Sequence, residues 1–251
     1  MKKIYNRILD QKYAMNRKKN PWTDLLKIYN TIYFEGNRDL SLIRICKSIE
    51  LLGEINKLMI LDLGCGTGEG SSLLRQLGGT VICVDIAKYA VCSCKRLGFE
   101  VVQAAGHALP FKANSFDGSL IMDLLEHIPK NLAVTTLKNI KMVTKTNGKV
   151  AIHTMPHLFL EKLSILYGLI NKKHWRRRGI EGGHINTYTP WRLKKEINLS
   201  GLRIVKFNIG PYPKSAPFSR LVSPISRHIK KIIGNDFWVC CIVNHETKEL
   251  L

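Results

Sequence analysis

The chain contains no apolar run approaching the roughly 18 residues that a membrane-crossing helix needs, so no transmembrane segment is expected. Residues 1–20 also lack the uninterrupted apolar core of a secretory leader, because charged and polar residues recur throughout them. The seven cysteines, Cys46, Cys65, Cys83, Cys92, Cys94, Cys240 and Cys241, include no C-x-x-C pair. That spacing argues against a metal cluster and for reduced, buried thiols in a cytoplasmic protein. Acid is scarce as well: 19 Asp and Glu stand against 39 Lys and Arg, a net charge of +20. Such a balance favours an acidic partner, whether nucleic acid, membrane surface or anionic substrate, without choosing among them.

What is present is 251 residues, enough for one large α/β domain over 1–251. Its centre is Met59 to Gly68, where a short apolar run with one carboxylate, Asp62, meets three glycines at alternate positions, Gly64, Gly66 and Gly68. Apolar residues then return at helical spacing, Leu73, Leu74 and Leu77. A strand therefore enters a tight loop, and the loop opens a helix whose first amides lack backbone partners. A dinucleotide fingerprint needs Gly-x-Gly-x-x-Gly, but Glu69 stands where its third glycine would fall. Asp62 and Glu69 bracket the loop and would repel a pyrophosphate. They suit a nucleoside carrying an ammonium or sulfonium group. A second apolar strand, Val81 to Ile86, carries Asp85 about 20 residues beyond the loop, where α/β nucleotide sites place an acid against ribose hydroxyls.

With both pieces in view the chain resembles the class I S-adenosylmethionine-dependent methyltransferases, particularly the small-molecule and lipid-directed branch of type 11-like domains. The resemblance runs from about Met59 to Val243 and is strongest from Ile60 to Pro129. It implies a Rossmann-like, mostly parallel sheet of seven strands in the order 3-2-1-4-5-7-6, strand 7 antiparallel, with helices on both faces. Within it, residues 1–57 would form an N-terminal helical cap, 58–153 the cofactor core, 154–190 an acceptor-site insertion, and 191–251 the last helix with strands 6 and 7. The resemblance assigns the methionine end of S-adenosylmethionine to Asp62, Gly64, Cys65, Gly66 and Gly68, its ribose to Asp85 and one adenine face to Ile86. Gly106, His107 and Asp123 complete that cofactor site. Relatives carry an aspartate where this chain has Ala105, leaving the Gly106 amide as the adenine donor.

The stretch Asp123-Leu124-Leu125-Glu126-His127-Ile128-Pro129 resembles a Glu-x-Leu-Glu-His-Val-Pro passage of the family and should face the transferable methyl. His127 is the leading general-base candidate, since imidazole titrates near neutral pH; a loop-orienting role stands beside it. Asp123, Glu126 and His127 also resemble a divalent-cation set of ubiquinone-type O-methyltransferases, a second reading behind no metal at all. His184 and Tyr188, from a Gly-His-x-x-x-Tyr-Thr-Pro passage, are expected to face the acceptor, with Thr189 and Pro190 as N-cap and N1 of the next helix.

Two basic stretches lie towards the C-terminus. Lys172 to Arg178 embeds Trp175 among cations, and Pro211 to Ile233 interleaves five basic with many apolar residues and no acid. Both suit a phosphate-bearing or lipid-linked acceptor and peripheral contact with an anionic membrane. The expected activity is methyl transfer to a small-molecule or lipid-linked acceptor, most simply to oxygen. An RNA methyltransferase, or a non-catalytic cofactor-binding scaffold, stays open as an alternative.

Overall fold

The computed structural model describes residues 40–155, 186, 188–210 and 236–245. By internal contacts the chain divides into two units, Met1–Cys46 and Lys47–Leu251. Of the first unit only residues 40–46, the start of helix α1 (Leu40–Leu52), are described. The remaining expectations for the N-terminal segment, and those for Lys172 to Arg178 and Pro211 to Ile233, lie outside the described residues.

The second unit is built on seven strands: β1 (Met59–Leu63), β2 (Thr80–Asp85), β3 (Glu100–Gln103), β4 (Phe116–Met122), β5 (Thr144–Thr154), β6 (Arg203–Ile209) and β7 (Phe237–Ile242). They form one sheet in the order β3-β2-β1-β4-β5-β7-β6. The pairs from β3 to β5 are parallel, and β7 runs antiparallel to both β5 and β6. This is the expected fold. Helices α2 (Glu69–Gln76), α3 (Lys88–Arg96), α4 (Lys130–Val143) and α5 (Pro190–Ser200) connect the strands.

The central strands are apolar nearly throughout because a parallel sheet covered by helices has no wet face. Leu61, Val84, Leu120, Ile121, Val150 and Ile152 are buried. The apolar pattern alone places strand five at Lys149 to His153, but β5 begins at Thr144, because Thr144 pairs with Phe116 across a bulge before regular pairing resumes at Gly118 and Lys149. The irregular register hides that first part from a pattern of alternate apolar residues.

Connectivity places the functional region. From β1 the chain moves outward to β2 and β3, then returns across β1 to β4 on its other side. Such a reversal opens a crevice beyond the carboxyl ends of the two central strands, where ligands of open α/β sheets bind. The loops that reach it are those after β1, β2 and β4.

Candidate active site

The loop after β1 turns inside a narrow allowance. Its first amides, Gly64 N and Cys65 N, donate to Val84 O at 2.8 and 3.2 Å, tying the loop to β2. Gly64 has φ +77°, and a Cβ there would lie 3.2–3.3 Å from the Leu124 side chain. Gly68, at φ +89°, is the N-cap of α2 and delivers the chain into the helix. Side chains at these two positions would meet both backbone strain and a wall.

Beneath the loop, Asp62 is buried and its carboxylate accepts a 2.5 Å hydrogen bond from Ser71 Oγ on α2. Burial pushes its pKa up to about 6, with Asp85 and Glu69 adding to the rise and the Ser71 bond opposing it. A ligand cation would relieve this frustration.

Asp85, the last residue of β2, is held on both oxygens. Oδ2 accepts from Gly66 N at 3.0 Å and Oδ1 from Ala87 N at 2.9 Å. The acid is thereby fixed across the top of the glycine loop in a set orientation. Beside it Ile86, an apolar side chain, is 67% exposed. Gly106 lies close to α4, where a Cβ would come within 2.8 Å of Thr136 Cγ2. His107 is exposed, and its carbonyl accepts from Asn139 Nδ2 at 2.8 Å. Glycines that leave room for main-chain approach, a fixed acid and a buried carboxylate match a zwitterionic nucleoside such as S-adenosylmethionine.

At the end of β4, Asp123 adopts φ +47°, uncommon for a residue with a side chain. Asp123 N donates to His153 O at 3.1 Å, and Oδ1 lies 2.6 Å from His153 Nδ1. The other nitrogen of that ring, Nε2, lies 3.2 Å from Asp236 Oδ1. Burial alone would lower the His153 pKa, but the two carboxylates outweigh it and raise it above the ordinary imidazole value. The His153 and Asp236 pair was missed in the sequence: 83 residues separate the partners, and only the β5–β7 pairing brings them together.

The turn after Asp123 separates neighbours. Glu126 is fully buried and accepts from Thr154 Oγ1 at 2.8 Å, while His127 is exposed. Asp123, Glu126 and His127 therefore do not gather their ligand atoms about one point. Among the described residues the group of three ligand-type side chains that does so is Cys65, Cys83 and Cys94.

Tyr188 requires a correction. It is fully buried, donating its hydroxyl to Glu196 Oε2 at 2.9 Å and accepting from Asn186 Nδ2 at 3.2 Å. Arg192 covers its ring at 4.8 Å and bonds Glu196 Oε1 at 2.8 Å. Burial and the Glu196 charge push the Tyr188 pKa up. The hydroxyl is consumed in fastening α5 to the turn and does not face an acceptor. Thr189 caps α5 by accepting from Arg192 N at 3.1 Å, with Pro190 in the first turn, as expected. His184 lies outside the described residues.

Residues 61–152 match the family described as "Methyltransferase domain". That stretch, from β1 to β5, is similar to methyltransferase domains. It is 34% identical over 120 residues to the malonyl-[acyl-carrier protein] O-methyltransferase of Buchnera aphidicola, covering 47% of each chain. It is 36% identical over 114 residues to the demethylmenaquinone methyltransferase of Lactococcus lactis, covering 41% of this chain and 44% of that protein. The chain thus spans about half the length of the curated relatives it matches. The solved structure of an S-adenosylmethionine-dependent methyltransferase from Archaeoglobus fulgidus aligns with TM-score 0.60 at 20% identity, over 86% of this chain and 99% of that one. The matched residues include the glycine loop, Asp62 and Asp85, and reach into β5.

Proposed function

We infer that this chain is an S-adenosylmethionine-dependent methyltransferase that acts on oxygen of a small-molecule or lipid-linked acceptor. The observation that carries the reading is the clamp on Asp85, whose two carboxylate oxygens accept from Gly66 N and Ala87 N beside the glycine loop. The acid stands ready for a ribose diol without needing reorganisation. The named O-methyltransferase and quinone-precursor relatives support the choice of acceptor class.

When bound, S-adenosylmethionine supplies a sulfonium methyl that is transferred by in-line displacement. Asp62 would hold the positive methionine end from below the loop, Asp85 the ribose, and Ile86 one face of the base. The Gly106 amide would serve the adenine edge, since Ala105 offers no carboxylate there. His127, exposed beyond β4, would take the proton of the acceptor hydroxyl as its oxygen bonds to carbon and the sulfur–carbon bond breaks. Most of the acceleration would come from holding the reactants at contact distance.

The net charge of +20 supports an enzyme that touches an anionic membrane at its surface, and the cysteines without C-x-x-C spacing support a cytoplasmic location. No helix among the described residues is long and apolar enough to cross one.

Calorimetric titration with S-adenosylmethionine and S-adenosylhomocysteine tests the donor site. Micromolar binding by the wild-type chain, lost in Asp85→Ala, is the expected result; absence of binding to the wild type overturns the reading. Flotation with anionic and neutral vesicles tests the membrane contact, and equal recovery with both would remove it.

A further inference from the structure

Three sulfurs from three separate elements meet behind the glycine loop. Cys65 belongs to the loop itself, Cys83 to the middle of β2 and Cys94 to the last turn of α3. All three are buried, and their Sγ atoms lie within 4.8 Å of one another. Cys65 and Cys94 are 3.5 Å apart. Metal–thiolate bonds of about 2.3 Å put the sulfurs of a trigonal site about 4.0 Å apart, so small side-chain motions would admit an ion at their centre.

We propose that Cys65, Cys83 and Cys94 form a buried three-sulfur site for a soft, thiophilic, closed-shell cation of low coordination number, of the Cu(I) or Cd(II) kind. Thiolate-only donors select such ions and leave hard oxygen-seeking ones unbound. Three buried sulfurs, with water kept away, favour three-coordination over the tetrahedral set that structural zinc requires. The surroundings orient the donors as a supporting shell does. Ser71 Oγ lies 3.1 Å from Cys83 Sγ while it donates to Asp62, and Cys94 Sγ approaches Gly66 O at 3.6 Å. Binding involves no oxidation. Each sulfur forms a bond to the ion and releases its proton to solvent, three in all.

Occupancy falls as the solution is acidified, as for any ion that competes with protons for sulfur. The ion would join loop, strand and helix, so its binding should raise the melting temperature.

The test uses the full chain, reduced and kept anaerobic, titrated with Cd(II) and with Cu(I) buffered by a competing chelator. One ion per chain, an ultraviolet thiolate-to-cadmium band and a raised melting temperature are expected. Cys94→Ser and Cys83→Ala should each erase the band and weaken binding by ~100-fold or more, whereas exposed Cys92→Ser should change neither. X-ray absorption on the wild-type cadmium form should count three sulfurs, which decides the matter even if the buried variants do not fold. Substoichiometric binding, fewer than three sulfurs, or a band lost with Cys92→Ser but kept in the folded Cys94→Ser protein would overturn the site. None of these readouts depends on methyl transfer, so their failure would leave the proposed activity standing.

Discussion

His153 Nδ1 lies 2.6 Å from Asp123 Oδ1, joining the buried end of β5 to the residue that closes β4. Its other nitrogen faces Asp236, and Trp238 packs 5.1 Å from the ring with Lys47 over the indole. The imidazole pKa is raised despite burial, so the charged ring is the form this pocket favours. A group raised on folding stabilises below its unfolded pKa, near 6.5, and loses that contribution as pH rises through its folded value. Stability of the wild-type chain should therefore decline as pH rises above about 6.5. His153→Gln should be less stable at pH 6 and should lose this pH-dependent component. Urea denaturation from pH 6 to 9 measures both curves, and parallel curves would remove the charged-ring account.

Asp62 changes stability in the same direction but in a more acidic window. Its folded pKa, about 6, exceeds the ordinary carboxylate value of 3.8, so its ionisation costs stability increasingly as pH rises from about 4 to 6. The cost is then fully present at neutral pH, on the order of 3 kcal/mol from the size of the shift. Asp62→Asn, which can still accept from Ser71, should raise the melting temperature at pH 8 and lose that advantage near pH 4. The same variant should bind S-adenosylmethionine more weakly. A fold that carries an unfavourable buried charge at its donor loop has exchanged stability for recognition.

Gly64→Ala combines a positive φ with contact against Leu124. The expected cost is about 1–3 kcal/mol, together with loss of donor binding because the loop must shift. Adding Leu124→Ala should recover the part due to crowding and none due to the backbone angle. Thermal melts of the single and double variants separate the two components.

Tyr188→Phe tests the corrected placement of that residue. Removing the hydroxyl leaves Glu196 Oε2 and Asn186 Nδ2 each without this partner, at a cost of about 1–3 kcal/mol for buried groups. Turnover per folded molecule should stay within a few-fold of wild type. A drop of about 100-fold with unchanged stability would restore Tyr188 to the acceptor site.

The contrast between Tyr188 and Asp85 shows what a linear pattern conveys. Asp85 was legible because a strand's end and its distance from the glycine loop fix where the carboxylate stands. The limits of β3, Glu100 and Gln103, are legible in the same way, because Gly98 and the change of period bracket the strand. Tyr188 follows a loop, and nothing in the pattern reveals that Glu196 on the next helix will take its hydroxyl. His153 is one more residue of an apolar strand until β7 brings Asp236 beside it. The thiol cluster was invisible for the same reason: residues 65, 83 and 94 have no common spacing, and the loop, β2 and α3 become neighbours only in the folded sheet.

His127 carries the last prediction because position and chemistry converge on it. Glu126 turns inward to Thr154 while His127 remains exposed beyond β4, at the side of the crevice where the methyl would be presented. If it takes the acceptor's proton, His127→Gln keeps a polar side chain of similar reach without a titrating base. Turnover on a hydroxyl acceptor should fall by about 10²–10⁴-fold, with S-adenosylhomocysteine affinity unchanged. The residual rate should rise with pH as the acceptor ionises unaided, and an acceptor whose hydroxyl is already acidic should lose much less. A loop-orienting role would produce another pattern: equal losses on both acceptors, no recovery at high pH, and a melting temperature lowered along with the rate. Measuring the variant on two acceptors of different acidity therefore distinguishes proton transfer from positioning.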